Sequence, residues 1–294
     1  MEIPRYPEFM RLELAHKEFF DAAFKKCPPE ISEFTFTNLF SWRKAYGFKV
    51  SSLGESLILG CDSGEGARFM QPIGIADSYA VIEKVLRDTQ GAFIRIPESA
   101  AKLFESNSLF KVEEDRNNAD YLYLSSALIN LPGRKYDGKR NQIKRFKSEY
   151  EYTYRDSKGS DIEHIMEFEE AWCALKGCDH IEGLNSERQA LKEIAANFKD
   201  FKLKCGIIAL KGKIRAVAIA EMLNPETLVM HMLKADPAIP GLYQVMLNDF
   251  LRAHGQSVHY VNLEQDLGVE GLRVSKQSYH PLTLIKKYTV SAKI

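Results

Sequence analysis

The chain has 294 residues, 45% hydrophobic and 27% charged, which is room for one large or two ordinary globular domains. Lysine plus arginine and aspartate plus glutamate number 40 each, so the formal net charge is zero. That excludes a protein drawn bodily onto nucleic acid or anionic lipid; any such binding must come from a local patch.

Residues 14–27 read as an amphipathic helix closed by Pro28-Pro29. The aromatic-dense segment 34–46 carries a short helix through Arg43, with Thr37 as its N-cap. Segments 48–53 and 56–60 form a hairpin around Gly54-Glu55, and 68–72 is a further strand. Asp77 caps a helix to about Thr89, 92–96 is a strand, and Pro97 opens a helix ending near Glu105. Strands at 110–113 and 119–124 complete a mixture typical of an α+β domain.

Leu131-Pro132-Gly133 is a break before the one strongly basic run, 134–147. On a helical wheel Ile143, Phe146 and Tyr150 make an apolar stripe, with Arg140, Lys144 and Lys147 beside it. The run is either a solvated face or a phosphate-contacting surface. A strand at 150–154 and a turn at 157–160 follow, and the domain boundary is expected there, dividing the chain into 1–157 and 158–294. Asp161 caps a helix to about Lys176, and a second helix spans 186–198. Strands 204–210, 214–223 and 228–235 are joined by hairpin signals, Lys211-Gly212-Lys213 and Asn224-Pro225-Glu226-Thr227. A helix over 242–253, a strand over 258–263, a short helix from Val269 and a strand over 282–290 end the chain.

The segment 258–281 carries the candidate chemistry. Ligands of open α/β sheets sit outside the carboxyl ends of strands. Glu264 and Asp266 follow such a strand, and extended backbone would put both on one face. On the short helix Val269, Leu272, Arg273 and Lys276 share one side. A buried cation without a partner is costly, so Arg273 and Lys276 either pair with the two carboxylates or meet an anionic ligand. His231 reads as a satisfied strand histidine, and Glu221 as half of a hairpin-edge salt bridge ahead of a second reading as a general base. The remaining histidines show no metal spacing, so no metal is expected. Five scattered cysteines without a CxxC pair, and the absence of a signal pattern or a long apolar window, lead to the expectation of a cytoplasmic protein with free thiols.

The order of the second half resembles a GNAT-type acyltransferase domain. Asn262-Leu263-Glu264-Gln265-Asp266-Leu267-Gly268, Gly271-Leu272-Arg273, Lys276, Ser278-Tyr279 and Pro281 resemble the terminal signature of the phosphatidylglycerol lysyltransferase C-terminal family. Segments 36–43 and 133–141 are similar to its N-terminal and middle motifs. The resemblance implies two tandem GNAT-like domains, as in Fem-type aminoacyl transferases, with mixed, largely antiparallel sheets flanked by helices. It also implies transfer of an aminoacyl group from charged tRNA to an amine or hydroxyl acceptor, a lipid headgroup being one. Full lysyltransferases carry a membrane-embedded N-terminal part that this sequence does not include.

On that basis Glu264 or Asp266 is the expected general base. Arg273, Lys276, Asn262 and Tyr279 are expected beside the substrate. Arg134, Lys135, Lys139, Arg140, Lys144 and Lys147 are expected on tRNA phosphates. No separate cofactor is expected. An acyl-CoA donor is the alternative, and a non-catalytic binding protein on the same fold is a third reading. Coenzyme A needs a glycine-rich turn at a helix N-terminus. Segment 236–245 retains only Gly241, with Tyr243 and Val245 where later glycines belong.

Overall fold

The computed structural model describes residues 2–62 and 66–293. β1 (Met10–Arg11) precedes α1 (Lys17–Lys26) and α2 (Phe36–Tyr46). The cap of α2 is Thr35, not the expected Thr37: the Thr35 hydroxyl accepts the Asn38 N–H at 3.1 Å, while Thr37 is buried in the first turn. β2 (Lys49–Leu53) and β3 (Ser56–Cys61) make the expected hairpin. β4 (Arg68–Met70), α3 (Tyr79–Thr89), β5 (Ala92–Pro97), α4 (Glu98–Glu105) and β6 (Phe110–Glu114) follow close to expectation.

Next come β7 (Asp120–Leu124) and α5 (Ser125–Asn130), a helix too short for its periodicity to register in the sequence. The basic run forms α6 (Asp137–Glu149). β8 (Thr153–Asp156), α7 (Ile162–Lys176), α8 (Glu182–Ala196), β9 (Lys204–Leu210), β10 (Lys213–Asn224), β11 (Thr227–Ala235) and α9 (Leu242–His254) precede β12 (Tyr260–Asn262) and α10 (Glu270–Gln277). The expected single strand over 282–290 is two, β13 (Thr283–Ile285) and β14 (Lys287–Ala292), because the chain leaves one sheet for another at Lys286.

The two sheets share one plan. The first runs β1-β2-β3-β4-β5-β14-β6 and the second, read from its other edge, β8-β9-β10-β11-β12-β7-β13. Each contains a parallel pair, β4–β5 or β11–β12, joined by a crossover helix, α3 or α9. The architecture is therefore the expected α+β one, with two mixed sheets flanked by helices. In each sheet the strand in the sixth place comes from a distant part of the chain.

The chain divides into two compact units. One comprises residues 1–120, 265–273 and 284–294, and the other 121–264 and 274–283. Residues 157 and 158, the expected boundary, lie inside the second unit. There β8 pairs with β9, and the Ser157 N–H donates to the Cys205 carbonyl at 2.7 Å.

Ile58, Phe69, Ile82, Leu86, Phe93 and Val290 pack the first core. Burying side chains of this size stabilises by about 1.5–3 kcal/mol each. β14 is pinned there by Lys287, fully buried, with Nζ 2.7 Å from Asp120 and 2.6 Å from Glu33. The second core gathers Ile165, Leu191, Ile207, Val217, Ile219 and Met232.

The expectation of free thiols is corrected at one pair: Cys173 and Cys178 form a disulfide. Gly177, left-handed at the end of α7, turns the chain back so that their Cα atoms lie 5.0 Å apart. Cys27, Cys61 and Cys205 remain free. Among the described residues no helix is long and apolar enough to cross a membrane.

Candidate functional site

β12 ends at Asn262, and with it the extended backbone on which the pairing of Glu264 with Asp266 was expected. The buried Asn262 side chain accepts the Glu264 N–H at 2.8 Å. The chain then turns through the left-handed region at Glu264 (φ 56°) and Leu267 (φ 53°). Such backbone costs about 1–3 kcal/mol per non-glycine residue and persists only where its surroundings impose it. The two carboxylates consequently part company: Glu264 belongs to the second unit and Asp266 to the first.

Asp266 is fully buried. It accepts from Arg273 Nε and Nη2 at 2.8 and 2.9 Å, from Arg116 Nη1 at 3.2 Å and from the Gly268 N–H at 2.8 Å. Arg273 Nη2 also donates to Asn117 Oδ1 at 3.0 Å. Of the two readings for Arg273 the geometry favours the ion pair. Asp266 has no exposed surface with which to meet an acceptor.

Glu264 keeps partial exposure and approaches a histidine. His231 Nδ1 lies 2.9 Å from Glu264 Oε1, and its Nε2 lies 2.8 Å from Glu221 Oε1. The pairing of β10 with β11 slips by one residue between Ile219–Met232 and Ala220–Met230, leaving His231 as the extra residue of a bulge. Bulges re-aim side chains. Strand alternation alone did not reveal that the histidine joins the two carboxylates.

Both ring nitrogens face carboxylates, so the ring serves both only as an imidazolium. Burial opposes that charge, but hydrogen bonds and attraction from Glu221 and Glu264 outweigh it and raise the His231 pKa to about 10. The folded value exceeds the ordinary 6.5. This contribution to stability is therefore complete below about 6.5 and fades as pH rises through about 10. Nuclear magnetic resonance should find the His231 ring protonated from pH 5 to 9, and Glu264→Gln should move its titration down towards 6.5. A ring already titrating near 6.5 in the unmodified protein would remove the imidazolium.

A tyrosine-lined region of the second unit adjoins this cluster. Tyr121 donates its N–H to the Glu264 carbonyl at 3.1 Å, and Lys276 Nζ lies 5.8 Å from the centre of the Tyr121 ring. Tyr123, on the same face of β7, donates to the Lys276 carbonyl at 2.7 Å. Tyr136 donates to the Tyr279 carbonyl at 3.0 Å, and Lys139 Nζ lies 4.2 Å from the centre of the Tyr279 ring. The middle and terminal motifs therefore meet within one unit.

The six expected phosphate-binding cations divide. Arg140 is committed to the Leu131 and Gly133 carbonyls and to Asp137, fastening the turn before α6. Lys147 pairs with Asp249 at 3.2 Å. Arg134, Lys135 and Lys144 are exposed, and Lys139 is half-buried. Among the described residues no group of His, Cys, Asp or Glu side chains is arranged to hold a metal ion.

Residues 24–291 match the family model described as phosphatidylglycerol lysyltransferase, C-terminal. The chain belongs to that family. A conserved protein of unknown function from Bacteroides thetaiotaomicron is 33% identical, with a TM-score of 0.90 over 97% of this chain and 99% of that one. L-PGS from Bacillus licheniformis is 15% identical, with a TM-score of 0.67 over 100% of this chain and 94% of that one. FemX is 9% identical, with a TM-score of 0.60 over 96% of each. These two share the fold. An uncharacterized protein from Mycoplasmoides gallisepticum is 25% identical over 178 residues, 59% of this chain. The chain spans 56% of that curated relative's length. Family membership places the chain with the C-terminal domains of phosphatidylglycerol lysyltransferases, and its fold is the one that L-PGS and FemX share.

Proposed function

We propose that the protein transfers an aminoacyl group from aminoacyl-tRNA to an amine or hydroxyl acceptor. Family membership supports the reaction class, and one contact carries the choice of donor. The pyrophosphate of an acyl-CoA would need the N-terminus of the crossover helix open. In the second unit that end of α9 is covered by α6. Gly241 is left-handed (φ 83°), and a Cβ there would meet the Gln142 carbonyl at 2.7 Å and Phe146 Cβ at 3.1 Å. The lone surviving glycine of the turn thus serves helix packing. Exposed Arg134, Lys135 and Lys144 suit a polyanionic donor.

In this reading Glu264 accepts the proton of the acceptor as its nitrogen or oxygen attacks the ester carbonyl. The new C–N or C–O bond forms, the ester C–O bond breaks, and the proton passes to the departing ribose hydroxyl. The His231 ring holds Glu264 in place, and Glu221 holds the ring from the other side. Lys276 and Asn262 position the surrounding segment. Because an aminoacyl ester is already reactive, orientation supplies much of the acceleration.

The test is incubation with a panel of radiolabelled aminoacyl-tRNAs and cell extract. At least one should be discharged in a protein-dependent way. No discharge of any of them, with acetyl-CoA binding seen by calorimetry, would overturn the reading in favour of an acyl-CoA donor.

A further inference from the structure

The Tyr279 side chain is 3% exposed, and its hydroxyl has no hydrogen-bond partner among the described residues. An unsatisfied buried hydroxyl costs about 1–3 kcal/mol, so its retention calls for a ligand or another use. Lys139 is the second anomaly. Its ammonium is half-buried against the Tyr279 ring, with no carboxylate at ion-pair distance among the described residues. Burial holds it below the usual lysine range.

Tyr243 is the third. It stands one residue into α9, beside the point where Gln142 of α6 meets Gly241. Burial raises its phenol to about 12, and that phenol adds to the upward shift of Tyr279, which burial chiefly causes. Yet Tyr243 keeps part of its surface accessible. One unneutralised ammonium and the unpartnered Tyr279 phenol suit a singly charged oxyanion. Lys144 and Arg134, exposed and unpaired among the described residues, continue the positive charge outward along the same segment. That favours a polyanion over a lone headgroup.

We infer that Lys139 and Tyr279 form an anion subsite for a phosphodiester at the 3′ end of an RNA. The subsite rests on the proposed aminoacyl-tRNA donor and names the part of it that this unit holds. The dinucleotide cytidylyl-(3′→5′)-adenosine and glycerophosphoglycerol serve as small probes, followed by magnetic resonance titration. The dinucleotide should bind, and Lys139→Gln and Tyr279→Phe should each weaken it roughly tenfold. Tyr279→Phe should melt no lower than the parent, since it deletes an unsatisfied group. Against whole aminoacyl-tRNA, Lys139→Gln should also reduce the slope of log affinity with log salt by about 1.

Dinucleotide binding unchanged in both variants, while the parent protein still discharges tRNA, would overturn the subsite and leave the transfer reading standing. Lys139-dependent dinucleotide binding without discharge of any tRNA would support the subsite and count against that reading. Binding of glycerophosphoglycerol but not the dinucleotide would overturn the RNA assignment.

Discussion

Replacing Asp266 with alanine is expected to lower stability by about 3 kcal/mol, read as a fall in the urea midpoint at constant slope. The carboxylate is fully buried and serves four donors: two on Arg273, one on Arg116 and the Gly268 N–H. Breaking a buried ion pair from one side costs about 3–5 kcal/mol when the remaining charge stays dry. Here both guanidiniums are about one-third exposed and can recover water, which places the cost at the low end of that range. A midpoint within error of the parent protein would mean that this cluster does not hold the 264–273 turn.

Glu264→Gln should cost turnover as well as some stability. The substitution keeps the shape but removes one of the two carboxylates that hold the buried His231 imidazolium, so melting at neutral pH should fall as well. Loss of the base should lower kcat/KM for aminoacyl transfer by roughly 10²–10⁴. Asp266 is the control: both substitutions should lower the midpoint, and only that of Glu264 should cost turnover beyond what the lost stability explains. Full activity in Glu264→Gln would assign the reaction to orientation alone and withdraw the base from the mechanism.

Much of this was legible in the sequence because it rests on local rules. The hairpin at Gly54-Glu55, the Pro97-initiated helix, the crossover helix α9 and the inward-facing Arg273 all follow from turn chemistry and periodicity. Three things were not legible, each for a physical reason. The separation of Glu264 from Asp266 depends on left-handed backbone that the Asn262 side chain helps to impose within two residues. An asparagine bonding the backbone two residues on was the available signal. The role of His231 depends on a one-residue slip between β10 and β11, invisible in a pattern that alternates on both sides of it. The Cys173–Cys178 bond depends on how Gly177 turns the chain after α7, which spacing alone does not reveal.

The sixth place of each sheet sets a limit on how this polypeptide can be dissected. β5 pairs with β4 on one side and needs β14 on the other, while β6 pairs with β14 alone. A fragment stopping at residue 120 would present both as open edges, a template for aggregation. A fragment starting at residue 121 would keep the residues of β7 that pair with β12, but it would carry β14 with neither β5, β6 nor the Asp120 partner of Lys287. No single cut yields two self-sufficient pieces, so the halves are expressible only together.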